Sequence, residues 1–114
     1  MSLDYVAGFL DADGCITYSY GRYRVIFTNS NEDVLKRIQH ILNAYGIPSR
    51  LDPKRLVVSR KADVKKLLQL VVDKLTVKRR QARLMLAYFQ IEEDLKRMKE
   101  VIRGMNRENK KSLP

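Results

Sequence analysis

Apolar residues follow two different spacings along the chain, and the change from one to the other restricts the fold. Three segments carry apolar residues three and four positions apart, which predicts helices over residues 31–45, 64–75 and 78–104. Between them lie pairs of short segments rich in β-branched and aromatic residues, which predict two hairpins: residues 16–20 with 23–28, and 48–51 with 56–60. This order is typical of an α+β domain with an antiparallel sheet.

The ends of the elements carry their own signals. An almost wholly apolar or small segment, residues 3–13, predicts a first helix, with Ser2 as its N-cap and Gly14 at a left-handed C-cap position. Asn31 and Gly46 bracket the second helix in the same way. Gly21 and Arg22 are the expected connection of the first hairpin, and residues 52–55 form the turn of the second.

No linker-like composition and no internal repeat divides the 114 residues, so we expect one domain over residues 1–105. Residues 106–114 are expected to form a loose, basic and polar tail. The apolar residues are dispersed, and no run approaches the roughly 18 that a membrane span needs.

The charge balance favours a polyanionic partner. The chain has 23 Lys and Arg against 13 Asp and Glu, a net charge of +10. Nucleic acid is the leading candidate and an anionic membrane surface the second. The single Cys15 and single His40 exclude an internal disulfide and an ordinary zinc site. The N-terminus lacks the features of a secretory signal, so the cytoplasm, a nucleoid or an organelle is the expected location.

Alternation in the first hairpin predicts two chemically different faces of the sheet. The core face would carry Ile16, Tyr18, Tyr20, Tyr23, Val25 and Phe27. The other face would carry hydroxyl and guanidinium groups, from Thr17, Ser19, Arg22, Arg24 and Thr28. Four residues of the second hairpin extend this basic face: Arg50, Lys54, Arg55 and Arg60. Such a ribbon fits a DNA major groove, although a solvated polar face is the competing interpretation.

The last predicted helix carries apolar residues at alternating steps of four and three. They are Leu84, Tyr88, Ile91, Leu95, Met98, Ile102 and Met105. This spacing suits either a dimer seam or a stripe that packs against the domain's own body, and the second interpretation is favoured.

Two carboxylates, Asp11 and Asp13, stand at the end of the first predicted helix. The helix macrodipole already places partial negative charge there, so the arrangement is unfavourable by itself. A divalent cation would offset it, and carboxylate and carbonyl oxygens are ligands that Mg²⁺ uses. Simple termination of the helix in water is an equally good explanation of the two acids.

Residues 6–14, VAGFLDADG, resemble the motif that names the LAGLIDADG homing endonucleases, with identity at six of nine positions and apolar residues at the other three. The resemblance extends over the order of elements to about residue 90. It implies the α+β fold of that family, αββαββα plus a C-terminal helix, in which the antiparallel sheet forms a saddle on DNA. Residues 78–84 further resemble the stretch that opens a late helix of the family, so Arg79 and Arg80 are expected to contact DNA.

The resemblance also implies roles for individual residues. Asp13 matches the metal-binding acid, with the carbonyl of Ala12 as a further ligand, and Lys78 matches the basic residue near the cleaved phosphate. Asn29 and Ser30 lie where the family has a polar residue that organises water, and Asn31 has a competing role as N-cap. The positions implied for contact between two first helices are Ala7, Gly8, Asp11 and Ala12, with Asp11 mainly structural.

Only one copy of the motif is present, whereas cleavage of two strands needs two acids. We therefore expect a C2 homodimer that acts on a near-palindromic target in double-stranded DNA. The implied activity is site-specific, Mg²⁺-dependent hydrolysis of one phosphodiester per strand, with Mn²⁺ as a substitute metal and no small-molecule cofactor or membrane partner. The alternatives are a non-cleaving DNA-binding regulator or RNA-splicing maturase on the same fold, and a protein-interaction domain without nucleic acid.

Overall fold

The computed structural model describes residues 2–112, which form four helices and a four-stranded antiparallel sheet of order β1-β2-β4-β3. The elements are α1 (Leu3–Asp13), β1 (Gly14–Ser19), β2 (Arg22–Thr28), α2 (Glu32–Ala44), β3 (Arg50–Asp52), β4 (Arg55–Val58), α3 (Lys61–Val71), a 3₁₀ turn (Val72–Lys74) and α4 (Arg79–Ser112). The α+β class and the order of elements expected from the sequence are confirmed.

The core lies between one face of the sheet and helices α1, α2 and α3. Val25 and Phe27 of β2 and Leu56 and Val58 of β4 are fully buried. Each of the three helices adds apolar side chains from one face, as their spacing predicts: Val6, Ala7 and Leu10; Leu35, Ile38, Ile41 and Leu42; Val64, Leu67, Leu68 and Val71. Within residues 2–107 no polar or charged residue is buried. Helices α1, α2 and α3 thus cover one face of the sheet and leave the other face uncovered by these helices.

The first hairpin turns at Tyr20 and Gly21, not at the expected Gly21 and Arg22. Both turn residues have positive φ, 52° and 75°, and Ser19 pairs with Arg22 across them. Positive φ at both positions gives a two-residue turn whose twist matches that of the strands. Tyr20 is fully exposed at the tip, so its expected place in the core was wrong. The register confirms the predicted division of the other side chains between two faces, but Tyr18, on the core side, is 48% exposed beside Tyr88.

The junction of α1 and β1 differs from the expected capped helix end. Gly14 has φ −94° and ψ 173°, which is extended backbone, so the predicted left-handed C-cap is wrong and the chain passes directly from helix to strand. A Cβ at this position would lie 2.8 Å from Cα of Leu10. Glycine is thus needed for close approach of strand and helix. Ser2 occupies the N-cap position, but its side chain makes no capping hydrogen bond.

Helix α2 has both of its predicted caps. The Asn31 side chain accepts a hydrogen bond from the N–H of Asp33 at 3.0 Å. At the other end Gly46 has φ 74°, and the N–H of Ile47 donates to the carbonyl of Leu42 at 2.9 Å. This is the Schellman arrangement, which satisfies carbonyls that the helix itself leaves unpaired.

The second hairpin is shorter than predicted and begins later. Asp52 pairs with Arg55, so Pro53 and Lys54 form its turn, with Lys54 at φ 66°. The last strand ends at Val58, and Arg60 is the N-cap residue of α3, not a strand residue as expected. Helix α3 ends at Val71 and tightens into the 3₁₀ turn, whereas the sequence predicted one helix to residue 75.

Helix α4 does not end near Gly104 but continues to Ser112. The expected loose tail is therefore helical over residues 106–112, and residues 113 and 114 lie outside the described residues. Its 34 residues span about 51 Å at 1.5 Å per residue, and the molecule measures 70 × 26 × 26 Å. None of the helices in residues 2–112 combines the length and apolarity required to span a membrane.

Most of the apolar stripe of α4 does not pack against the body, contrary to the favoured interpretation, and only its member Tyr88 contacts aromatic rings there, those of Tyr18 and Tyr23. Every member from Leu84 to Met105 is between 41% and 60% exposed. The body is contacted instead by Ala82 and Phe89, which are buried, with Met85 and Leu86 packed beside them. Spacing identified an apolar face correctly but could not tell which of two apolar faces the body covers.

Candidate active site and nucleic-acid interface

Asp11 joins the end of α1 to the segment that precedes α4. One carboxylate oxygen accepts a hydrogen bond from the N–H of Thr76 at 2.7 Å, and the other accepts one from the N–H of Lys78 at 2.9 Å. The ammonium of Lys78 in turn donates to the backbone carbonyl of Asp11 at 2.8 Å. We call this arrangement of Asp11 with residues 76–78 the Asp11 clamp. It fixes where α4 begins relative to the motif helix.

The electrostatics of Asp11 follow from this geometry. Burial by itself raises the pKa of the Asp11 carboxyl. The backbone N–H groups of Lys78, Thr76 and Val77 and the positive charge of Lys78 lower this pKa by a larger amount. The net pKa is therefore below its usual value. Asp11 is therefore the ionised acceptor of the clamp. Its expected structural role agrees with these contacts, which all lie within one chain.

Lys78 keeps hydrogen-bonding capacity for a ligand. An ammonium has three N–H donors, and the carbonyl of Asp11 takes one of them. The carbonyl belongs to the last turn of α1, where the macrodipole favours a cation. The amine is thus held at the same helix end as Asp13, two residues along the chain from Asp11.

Asp13 and Ala12 are exposed at the C-terminal end of α1. Within residues 2–112 no three His, Cys, Asp or Glu residues come together to hold a metal ion. The donors of one chain are then a carboxylate and backbone carbonyls. This set suits Mg²⁺, which keeps several waters and takes one or two carboxylates together with phosphate oxygens of a substrate. The residues present therefore fit a hard divalent cation whose other ligands are waters or oxygens of a substrate.

Asn29 and Ser30 follow the end of β2. Because Gly14 pairs with Phe27, the register places the two residues after β2 level with the end of α1. The side-chain oxygen of Asn29, Oδ1, accepts a hydrogen bond from the backbone N–H of Asn31 at 2.7 Å. This bond fixes the Asn29 side chain in the turn before α2. The Asn29 amide N–H donors are not used by that bond, whereas Ser30 is exposed.

The uncovered face of the sheet brings together most of the residues expected to contact DNA. The strand register places Thr17 beside Arg24 and Ser19 beside Arg22. It also places Thr28 beside Arg55 and sets Arg50 on the same face, two positions before Asp52. Ile26 and Val57 pair at the centre of this face and give it an apolar middle.

Asp52 is a member of this face that the sequence interpretation missed. Its carboxylate lies 3.1 Å from the Arg50 guanidinium and 3.8 Å from that of Arg55. An ion pair of this kind orients two long side chains that are otherwise free to move. Alternation counted from Arg50 would have placed Asp52 on the basic face, because residues two apart in a strand share a face.

The remaining basic residues lie at the margins of the sheet or on α4. Lys54 is exposed at the tip of the second hairpin, and Arg60 is exposed where α3 begins. Arg79 donates to the carbonyl of Asp73 at 3.2 Å and is half-buried, whereas Arg80 is exposed. Arg83, which the sequence interpretation did not select, is exposed one turn further along.

The small residues of α1 lie on two different sides of the helix. Ala7 is 1% exposed and packs within the chain's own core. Gly8 and Ala12, four positions apart, are both exposed. A Cβ added at Gly8 would meet no atom of this chain within 4 Å. Space for close approach of another helix therefore exists at Gly8 and Ala12.

Comparison with known proteins identifies relatives of this arrangement. A family model described as LAGLIDADG-like domain matches residues 1–110. Two solved structures of the homing endonuclease I-CvuI are similar, one in complex with the I-CreI target with 2 mM Mg and uncleaved DNA, the other with its own target and 2 mM Ca. They share 26% and 27% identity with this chain and have TM-scores of 0.61 and 0.62. The match covers 75% of this chain and 63% of theirs. No curated protein sequence matches.

Proposed function

Since the chain belongs to the LAGLIDADG family, we propose that it is a site-specific, divalent-metal-dependent endonuclease that acts on double-stranded DNA as a homodimer. The observation that carries the proposal is the Asp11 clamp, because it holds the Lys78 ammonium at the helix end where Asp13 is exposed. An acid for a metal and a cation for a phosphate are the two groups that phosphodiester hydrolysis most needs.

In the proposed mechanism Asp13 and the carbonyl of Ala12 hold Mg²⁺, with Mn²⁺ as a substitute. The metal would supply an activated water and neutralise charge on the phosphate. Lys78 donates its free N–H groups to the non-bridging phosphate oxygens, where negative charge grows as water attacks. Asn29, through its amide N–H groups, and Ser30, through its hydroxyl, orient water beside the phosphate. Asp11 positions Lys78 and does not touch the substrate.

A homodimer is proposed because one chain offers one Asp13 and a double-strand break needs two. Pairing of α1 with α1 about a two-fold axis would use the open space at Gly8 and Ala12 and bring the two helix ends together. The target of such a dimer would be near-palindromic.

The Gly8→Gln variant is expected to lose the dimer that α1 forms and to be inactive. Glutamine favours helix over glycine, and its side chain meets no atom of its own chain at the Cβ position, so the fold is retained. In the dimer the same side chain would separate the two α1 helices. Sedimentation equilibrium and circular dichroism measure the two effects. A Gly8→Gln chain that cuts DNA normally would contradict an α1 interface.

The sheet face is proposed to bind the DNA groove on each side of the cut. For the Arg22→Gln, Arg24→Gln double variant we expect affinity to fall by about 10- to 100-fold, as the loss of two arginine contacts implies. Where the lost contacts are to phosphates, the slope of log affinity against log salt falls by about 0.9 for each. Arg103→Gln, a change of the same kind on the exposed distal part of α4, is the control. Equal losses in the two variants would contradict the assigned face.

The activity itself is tested by cleavage selection on a partially randomised palindromic duplex library, with Mg²⁺, with Mn²⁺ and without metal. Sequencing of the cut ends reports activity, target and overhang together. We expect metal-dependent cuts at two-fold symmetric sites. Binding without cutting under every metal would instead identify a regulator or maturase on this fold.

A further inference from the structure

The exposed apolar stripe of α4 is not explained by the fold of one chain. We call it the outward stripe, and its members are Leu84, Tyr88, Ile91, Leu95, Met98, Ile102 and Met105. Tyr88 also contacts Tyr18 of β1, with ring centroids 5.3 Å apart. The stripe runs for about 33 Å, at 1.5 Å per residue. Continuous apolar surface of this kind on a soluble protein marks an interaction site.

The body of the chain cannot cover this stripe, because it is attached to the opposite side of α4. Phe89 is buried and stacks near Tyr23 at 4.4 Å between ring centroids. Glu93, one turn on, binds Lys65 of α3 at 2.7 Å, and Glu92 binds Lys61. At 100° per residue, Ile91 points roughly 160° away from Phe89. Beyond Tyr88, whose ring contacts Tyr18, the outward stripe therefore faces solvent.

The spacing and the flanking charges fit a second copy of the same helix. Steps of four and three place Tyr88, Leu95 and Ile102 at a positions of a heptad and the other four members at d positions. Asp94 then occupies a g position and Lys99 the e position five residues later, so two identical parallel helices in register would form this ion pair twice. Ala87 and Val101, the neighbouring g residues, carry no charge, so no like charges face each other there.

We propose that the outward stripe pairs with that of a second copy as a parallel two-stranded coiled coil. Ala82 and Phe89 attach each body to the other side of its own α4, so the stripe from Ile91 onward is open to pairing, and the body touches the seam only at Tyr88. The interface is distinct from Gly8 and Ala12 on α1, and the proposal does not depend on endonuclease activity. A chain with two such interfaces would join DNA-binding dimers into larger assemblies.

Sedimentation equilibrium of the full chain tests the proposal with a cycle of variants. The Leu95→Gln, Ile102→Gln variant removes two a residues and is expected to weaken association through α4 at least about a hundredfold. The Lys96→Gln, Arg103→Gln variant introduces the same residues beside the stripe and is expected to associate as the wild type does. Combined with Gly8→Gln, the stripe variant is expected to be monomeric, whereas Gly8→Gln alone dimerises at high concentration through α4.

A strictly monomeric Gly8→Gln chain would overturn the coiled coil while leaving the α1 dimer intact. Unchanged association of Gly8→Gln when the stripe is also replaced would overturn it as well. Failure of the α1 interface looks different, because the stripe variant alone would then be monomeric.

The parallel orientation of the two α4 helices is tested with Met98→Cys in a Cys15→Ser background. Oxidation is expected to link two chains through residue 98, and Lys96→Cys in the same background is the control. No excess of the residue-98 disulfide over that control would contradict parallel pairing in register.

Discussion

The Asp13→Asn variant is expected to cut DNA at least about a thousandfold more slowly than the wild type, a loss of about 4 kcal/mol of transition-state stabilisation. Asparagine has the same shape as aspartate but lacks the negative charge that holds a divalent metal. The residue is exposed at the negative end of the α1 dipole, so removal of its charge does not destabilise the fold. Affinity for DNA in the absence of metal is expected to stay the same or rise slightly, because a charge that repels phosphate is lost.

Single-turnover cleavage and metal-free binding measure the two effects separately. Asp33→Asn, the same change at an exposed residue in the first turn of α2, is the control and is expected to cut at the wild-type rate. A raised Mg²⁺ requirement in the Asp13 variant would agree with its role as a ligand. Normal cutting by Asp13→Asn would remove the residue from the active site.

Local sequence signals were sufficient for much of this fold. Alternation in the first hairpin assigned Arg24 and Thr17 to one face and Val25 to the other, because strand geometry turns a period of two directly into faces. The caps of α2 were equally predictable, since Asn31 and Gly46 act on their own neighbours. These features depend on residues close together in the chain.

The errors concern features that depend on distant parts of the chain. Gly14 was assigned to a helix cap, whereas its need for glycine comes from the approach of β1 to Leu10. Tyr20 was placed in the core because its aromatic character suits a strand, but the turn position exposes it. Packing against the body was favoured over a dimer seam for the outward stripe, because periodicity reports an apolar face without reporting its neighbour.

The candidate site also combines features that local sequence predicts with features that depend on distant residues. The motif pointed to Asp13 and Ala12 as candidate metal ligands, and the resemblance pointed to Lys78. The reason that Lys78 lies near the motif was not visible, because the Asp11 clamp joins residues 65 and 67 positions apart. The resemblance implied a mainly structural role for Asp11, but only the N–H groups of Thr76 and Lys78 that donate to its carboxylate show which groups Asp11 positions.

The Asp11→Asn variant is expected to lose about 2–4 kcal/mol of unfolding free energy at neutral pH, because a half-buried carboxylate that accepts two N–H donors is replaced by an amide that cannot serve both. Cleavage is expected to slow at least about tenfold even where the protein is fully folded, since Lys78 is no longer held at the end of α1. If stabilising conditions restore DNA binding by Asp11→Asn but do not restore cleavage, the result would agree with a role for Asp11 in positioning Lys78.

The stability difference between wild type and Asp11→Asn is expected to depend on pH in a direction fixed by the lowered pKa of Asp11. A carboxyl whose folded pKa lies below the unfolded value, 3.8, stabilises the protein fully above that value and loses this contribution as pH falls through the folded pKa. Urea unfolding should therefore show a constant difference from pH 7 to about pH 5 that shrinks below pH 3.8. Asp4→Asn, which removes an exposed ion pair with Lys74 and the acid in the first turn of α1, is the control and is expected to lower the free energy of unfolding much less than Asp11→Asn does. A difference that persists unchanged at pH 2 would mean that the clamp does not depend on the charge of Asp11.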